Sequence, residues 1–251
     1  MTGGHGLVAI ALLLGGGCTL SPDPIPEGQS PDAGASDPAA DAAVVGDGAD
    51  AGAVEPVLTG SASAPQVGFG SPIDFASAGS SDWVHWGLAG DVAAYNHKAG
   101  VAAPISNYTQ LGEAALLATN CCIETGFSWA DGAPTASASN AIGGVYVDTA
   151  NPSGDGFRFT VPADTSMKTL RVYAGNWCVR ARLDATLSDG SAAPLADTSF
   201  DVPTAVLQNA IYTITYRAAS PGQSLQVDLT IAENHCIEGD VGELHLFAAA
   251  R

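Results

Sequence analysis

The residues able to do covalent chemistry are five cysteines. Cys18 stands near the N-terminus, and the other four fall in three segments: Cys121-Cys122, Trp177-Cys178 and His235-Cys236. An even set of thiols in an exported chain reads as disulfides. A bond between the neighbours Cys121 and Cys122 would strain the peptide that joins them. Each is therefore expected to pair with one of Cys178 and Cys236. That pairing requires the three segments to meet at one end of the domain. The rival readings are a zinc site, with His235 as a conceivable ligand, and free buried thiols. The C-x-x-C spacing of zinc sites is absent, so no metal is expected there. Asp148, Asn151 and Asp155 gather oxygen ligands near a turn, but their spacing matches no calcium loop.

Catalytic signatures are missing. The chain has no G-x-S-x-G, no H-E-x-x-H and no G-x-x-x-x-G-K. Carboxylates are plentiful, yet a glycosidase dyad is defined by separation in space, and no pair stands out along the chain. The chain reads as non-enzymatic and calls for no cofactor. What remains is recognition by aromatic and polar side chains. In Asp82-Trp83-Val84-His85-Trp86, an extended backbone puts Trp83 and His85 on one face and Val84 and Trp86 on the other. A sugar site would expose one of these rings for stacking. A core would bury the tryptophans and leave His85 bonded to a neighbouring backbone group. Tyr95-Asn96-His97-Lys98 reads as a polar loop that reaches hydroxyl groups or caps a sheet. Trp177 lies between Gly175-Asn176 and Cys178, outside clean alternation, and is expected to be partly exposed. The candidate ligand-binding set is Trp177, His85, Tyr95 and Lys98.

The elements that must carry these residues are strands. Leu170, Val172 and Ala174 alternate with Arg171 and Tyr173. Val179, Ala181, Leu183, Ala185 and Leu187 alternate with polar residues, as do Leu225, Val227, Leu229 and Ile231. A period of two marks strands with one buried face. Phe157, Phe159, Val161, Leu244 and Leu246 continue the pattern, and Leu111 to Thr119 reads as a further strand. Asp131-Gly132, Asn151-Pro152, Asp155-Gly156, Asp189-Gly190 and Pro221-Gly222 punctuate the strands as turns. Short strands with frequent turns predict an all-β antiparallel sandwich over residues 66–251, long enough for one sizeable core.

Upstream, residues 19–65 are rich in Ala, Asp, Gly, Pro and Ser and contain no aromatic residue. Such a segment buries too little apolar surface to offset the entropy of ordering, and it is expected to be a disordered acidic tether. The whole chain carries 26 acidic and 8 basic side chains, a formal charge of −18, which argues against a nucleic-acid partner. Leu7 to Leu14 is too short to span a bilayer and suits the apolar region of a secretory signal. Gly15-Gly16-Gly17-Cys18 resembles the bacterial lipobox, whose cysteine receives a diacylglycerol. The resemblance implies a signal sequence over residues 1–18, lipidation of Cys18 and anchoring to the bacterial envelope, at the outer membrane or cell surface.

Residues 72–250 carry a second resemblance. The segments DWVHWGL, NHKAGV, ISNYTQLG, FSWADGAPTASASN, GFRFTVPAD, TLRVYAG, LDATLSDGS, YTITYRAASPGQSL and GELHLFAAA occur in this order. Together they resemble a β-sandwich module that recurs in secreted, multidomain bacterial proteins, often beside carbohydrate-active or adhesive domains. The resemblance implies a jelly-roll or galactose-binding-like sandwich and no particular activity. The resulting expectation is a non-catalytic surface lipoprotein module that binds a glycan at the envelope or matrix. The alternative is a structural or adhesive domain whose partner is an envelope or matrix protein.

Overall fold

The computed structural model describes residues 54–121, 123–150, 154–236 and 240–251. The expected signal sequence, Cys18 and the expected tether up to residue 53 lie outside the described residues, as do Cys122 and Asn151. In chain order the strands are β1 (Val57–Ala62), β2 (Ile73–Asp74), β3 (Trp83–Trp86), β4 (Tyr95–Lys98), β5 (Thr109–Leu111), β6 (Ala115–Thr119), β7 (Phe127–Trp129), β8 (Gly132–Ala133) and β9 (Ala138–Ala141). They continue as β10 (Gly144–Thr149), β11 (Gly156–Ala163), β12 (Lys168–Trp177), β13 (Val179–Leu187), β14 (Leu195–Asp197), β15 (Gln208–Arg217), β16 (Gln223–Asn234) and β17 (Gly242–Ala250). A one-turn helix, α1 (Phe75–Ala78), is capped by the Asp74 carboxylate, which accepts from the Ala76 amide at 2.9 Å.

The fold is an antiparallel β-sandwich. The main sheet has nine strands, with β1-β15-β12-β17-β3-β4-β8 in order and a branch from β17 through β10 to β6. The branch exists because β17 serves two partners along one edge. Its Gly242–Leu246 half pairs with β10 and its Ala248–Ala250 half pairs with β3. Facing it is a five-stranded sheet ordered β14-β13-β16-β11-β5. The alternation read along β11, β13 and β16 is borne out, since Phe157, Phe159, Val161, Leu183, Leu187, Val227 and Leu229 are all buried. They pack against Trp86, Val145, Val172, Tyr212, Ile214, Leu244 and Leu246 from the main sheet. The opposite face of the five-stranded sheet is charged, as where Arg158 makes a bidentate pair with its cross-strand neighbour Asp228.

Three features depart from the sequence reading. First, β1 is a strand paired with β15 over Val57–Ala62, so the folded domain reaches into the segment expected to be tether. The Ser, Thr and Gly content hides it, and Leu58 and Ala62 still reach the main core. Second, a separate core lies on the outer face of the main sheet beneath a small sheet ordered β2-β7-β9. It contains Phe69, Phe75, Trp83, Phe127, Trp129, Tyr173 and Phe247. Phe75 stacks on Trp83 at 4.8 Å between ring centroids. Tyr173, an alternation partner expected on the polar face of its strand, is 1% exposed because this second core covers it. Third, Trp177 ends β12 rather than sitting in a loop, and the next residue turns the chain into the opposite sheet. Cys178 makes that turn at φ 59, in the left-handed region.

Candidate functional site

The second core covers one half of the main sheet's outer face. The other half is formed by β10, β17 and the end of β12. Val145, Val147, Leu244 and Leu246 point inward, so Tyr146, Asp148, Glu243 and His245 point outward. Register then sets their neighbours. Asp148 lies opposite Glu243, which lies opposite Trp177. In the adjoining row Tyr146 lies opposite His245, His245 opposite Gly175, and Gly175 opposite Asn209.

The His245 ring stacks between Tyr146 at 4.8 Å and Phe247 at 5.7 Å, both near parallel. Its Nε2 meets Glu243 Oε2 at 2.8 Å. The imidazole is thus a spacer that ties an outward tyrosine to the second core. Gly175 is required for close approach, since a Cβ there would stand 2.9 Å from Asn209 Oδ1 and 3.0 Å from Phe247 Cε2. Asn209 is fully buried, and neither its Oδ1 nor its Nδ2 has a hydrogen-bond partner. Burial raises the Asp148 carboxyl above its ordinary range, and the facing Glu243 carboxylate adds to the effect. Burial also raises the Tyr146 phenol, with Glu243 and Asp148 contributing. Among the described residues no Lys or Arg pairs with Asp148 or Glu243.

Trp177 borders a shallow cleft of about 280 Å³ with Ala205, Cys236, Asp240, Val241 and Glu243. Trp83, Trp86 and Trp129 are buried, whereas Trp177 is half-buried. Among the described residues its indole has no ring partner. The patch therefore combines a free indole, an outward tyrosine and two hydrogen-bond-accepting carboxylates. That combination suits stacking on an apolar sugar face and acceptance of hydroxyl protons.

The other candidate residues lie elsewhere. His85 is fully buried, its ring 5.3 Å from both Phe127 and Trp129, and so is out of reach of a surface ligand. Burial pushes its imidazole down to about 3, the Gly143 backbone acting in the opposite direction. Tyr95 and Lys98 are the first and last residues of β4, a strand and not a loop. The Tyr95 hydroxyl donates to the Ile105 carbonyl at 2.5 Å, and burial raises the phenol to about 12. Lys98 pairs with Asp131 at 2.5 Å, and Asp131 also accepts from Trp83 Nε1 at 3.1 Å. These residues belong to the β3–β4 edge and do not join Trp177. Asp155 Oδ1 caps a turn by accepting from the Glu113 and Ala114 amides at 2.9 and 3.2 Å.

The cysteines also divide. Thr119 of β6 pairs with Gly144 at one end of β10, which puts Cys121 at that end. Cys178 and Cys236 lie at the other end, where Thr149 pairs with Gly242 and Asn234 donates to the Thr149 carbonyl at 3.1 Å. The run of β10 between them spans about 17 Å at roughly 3.3 Å per residue. Paired cysteine Cα atoms lie about 4.4–6.8 Å apart. The three segments therefore do not meet. Cys121 is disulfide-bonded, but to neither Cys178 nor Cys236, which are both free thiols. Among the described residues the expected cross-pairing is absent.

Tyr146, Asp148, Glu243, His245 and Asn209 were missed as candidates. The signal was present in GVYVDT and GELHLF, where Tyr146, Asp148, Glu243 and His245 alternate with core aliphatics. No family model and no curated protein matches the chain. Among solved structures, the carbohydrate-binding module TmCBM61 in complex with beta-1,4-galactotriose shows a slight likeness. It is 10% identical, with a TM-score of 0.19, over 50% of this chain and 86% of that one. A likeness at this level carries no argument about ligand.

Proposed function

We propose that the domain is a non-catalytic carbohydrate-binding module on an exported lipoprotein held to the bacterial envelope through Cys18. The observation that carries the reading is the half-buried Trp177 beside Tyr146, Asp148 and Glu243. Stacking supplies affinity for the apolar face of a sugar ring, and the carboxylates accept its hydroxyl protons. The His245 stack fixes Tyr146 in advance, so less ordering entropy is lost on binding.

The test is a glycan array probed with the full chain carrying Cys18→Ser, beside the same chain carrying Trp177→Ala. Loss of the indole should weaken the bound glycans by about tenfold or more, the effect of losing ~1.4 kcal/mol. An array on which both proteins bind equally, or neither binds, would sink the proposal. A second reading draws on Val241, which lines the Trp177 cleft and is 37% exposed, and on Val206, 49% exposed and next in the chain to Ala205 of the same cleft. Together they offer an apolar rim suited to a protein partner. An empty array, with matrix adhesion abolished by Val206→Asp, would favour that reading instead.

A further inference from the structure

We propose that Cys178 and Cys236 form a disulfide, a covalent staple across the corner that presents Trp177. The inference stands apart from the glycan reading. It starts from the β12-to-β13 corner. Val179 pairs with Asn234, and the Cys178 carbonyl accepts from the His235 amide at 2.8 Å. This register sets His235 opposite Cys178 and brings Cys236, the next residue, up to the same corner, where the Cys178 thiol acts on the ionisation of Cys236. Cys178 is 4% exposed, while Cys236 is half-buried and lines the Trp177 cleft. The Cys236 thiol also donates to the Val241 carbonyl at 3.2 Å. Among the described residues no group of three or more His, Cys, Asp and Glu could hold a metal.

The oxidant is a low-molecular-weight disulfide such as oxidised glutathione. Cys236, the more exposed thiol, attacks one of its sulfurs as a thiolate. A mixed disulfide forms and one glutathione thiolate leaves. Cys178 then attacks the Cys236 sulfur and expels the second glutathione. Two protein thiols lose two electrons in total, one reagent disulfide becomes two thiols, and the two protons lost by the cysteines end on the released thiols. Burial, joined by the neighbouring Cys178 thiol, raises the Cys236 thiol to about 12. The thiolate is therefore scarce near neutrality, and the first step should accelerate about tenfold per pH unit.

The full chain is incubated with oxidised glutathione at about pH 8, alkylated, digested without reduction and analysed by mass spectrometry. The expected result is a linked pair of peptides, one holding Trp177-Cys178 and the other His235-Cys236. Cys178→Ser should instead trap Cys236 as its glutathione adduct, which keeps the test informative about Cys236 access. Recovery of Cys178 and Cys236 as separately alkylated or separately glutathionylated peptides in the wild-type chain would overturn the proposal.

Discussion

Substituting His85 tests whether that residue is core or ligand site. In the folded domain its imidazole is held down to about 3, against 6.5 for an ordinary histidine, and burial is the leading cause. A folded value below the unfolded one means that the unfolded chain binds the extra proton between these two limits. The stability this group permits is whole above the unfolded value and is lost as pH falls. At about pH 5 the unfolded imidazole is charged by roughly thirty to one while the folded ring stays neutral. The loss between about pH 7 and pH 5 is then ~2 kcal/mol. That figure requires only that the folded value lie well below 5. For a domain of this size it corresponds to a fall of about 4–8 °C in Tm. Urea melts of wild type and His85→Leu at both pH values isolate the contribution, because every other titrating group is common to the two proteins. Wild type should lose about 2 kcal/mol more than the variant over that interval. His85→Gln, which also carries no titrating proton, guards against a poorly packed leucine. Equal pH dependence in wild type and both variants would refute the burial argument, and loss of glycan binding by His85→Gln at neutral pH would return His85 to the ligand site.

Two further outcomes are expected. A chain beginning at Ser61 cuts through β1, so it should melt at lower urea concentration and self-associate through the bared β15 edge. A chain beginning at Val54 should do neither. The Cys18→Ser chain should leave the membrane fraction when cells are fractionated, and retention with detergent-soluble lipoproteins would remove the anchor.

The strands of the five-stranded sheet could be read from sequence because one face is buried and the other is wet. Along β13 and β16 each aliphatic has a polar neighbour, and alternation survives intact. The same rule fails at β3, where Trp83, Val84, His85 and Trp86 are all buried because cores lie on both sides. Alternation of side chains persists there, but alternation of polarity does not. The thiol arrangement was illegible for another reason. It depends on the register of β6 on β10 and of β13 on β16, pairings between segments far apart in the chain. The candidate site has the same character, since Tyr146, Glu243 and Trp177 become neighbours only through cross-strand pairing.

Where a ligand can sit follows from how the second core divides the main sheet. The small β2-β7-β9 layer, which itself contributes Trp129, covers Trp83 and His85, and the sandwich interior takes Trp86. Three of the four tryptophans are thereby removed from surface recognition. The uncovered half of the outer face holds Tyr146 and Trp177, with carboxylates in the row between β10 and β12. Tyr146 is braced through His245 onto Phe247, so the second core stiffens the open half as well as covering its neighbour. Trp177 is braced differently, by the chain corner at Cys178 and by Asn176, whose Nδ2 donates to the Phe200 carbonyl at 3.1 Å. A bond from Cys178 to Cys236 would bind that corner to the end of β16 and narrow the motion left to the indole. The two aromatic groups would then meet a ligand already in place. This is the condition under which a shallow cleft can hold a sugar without a large buried area.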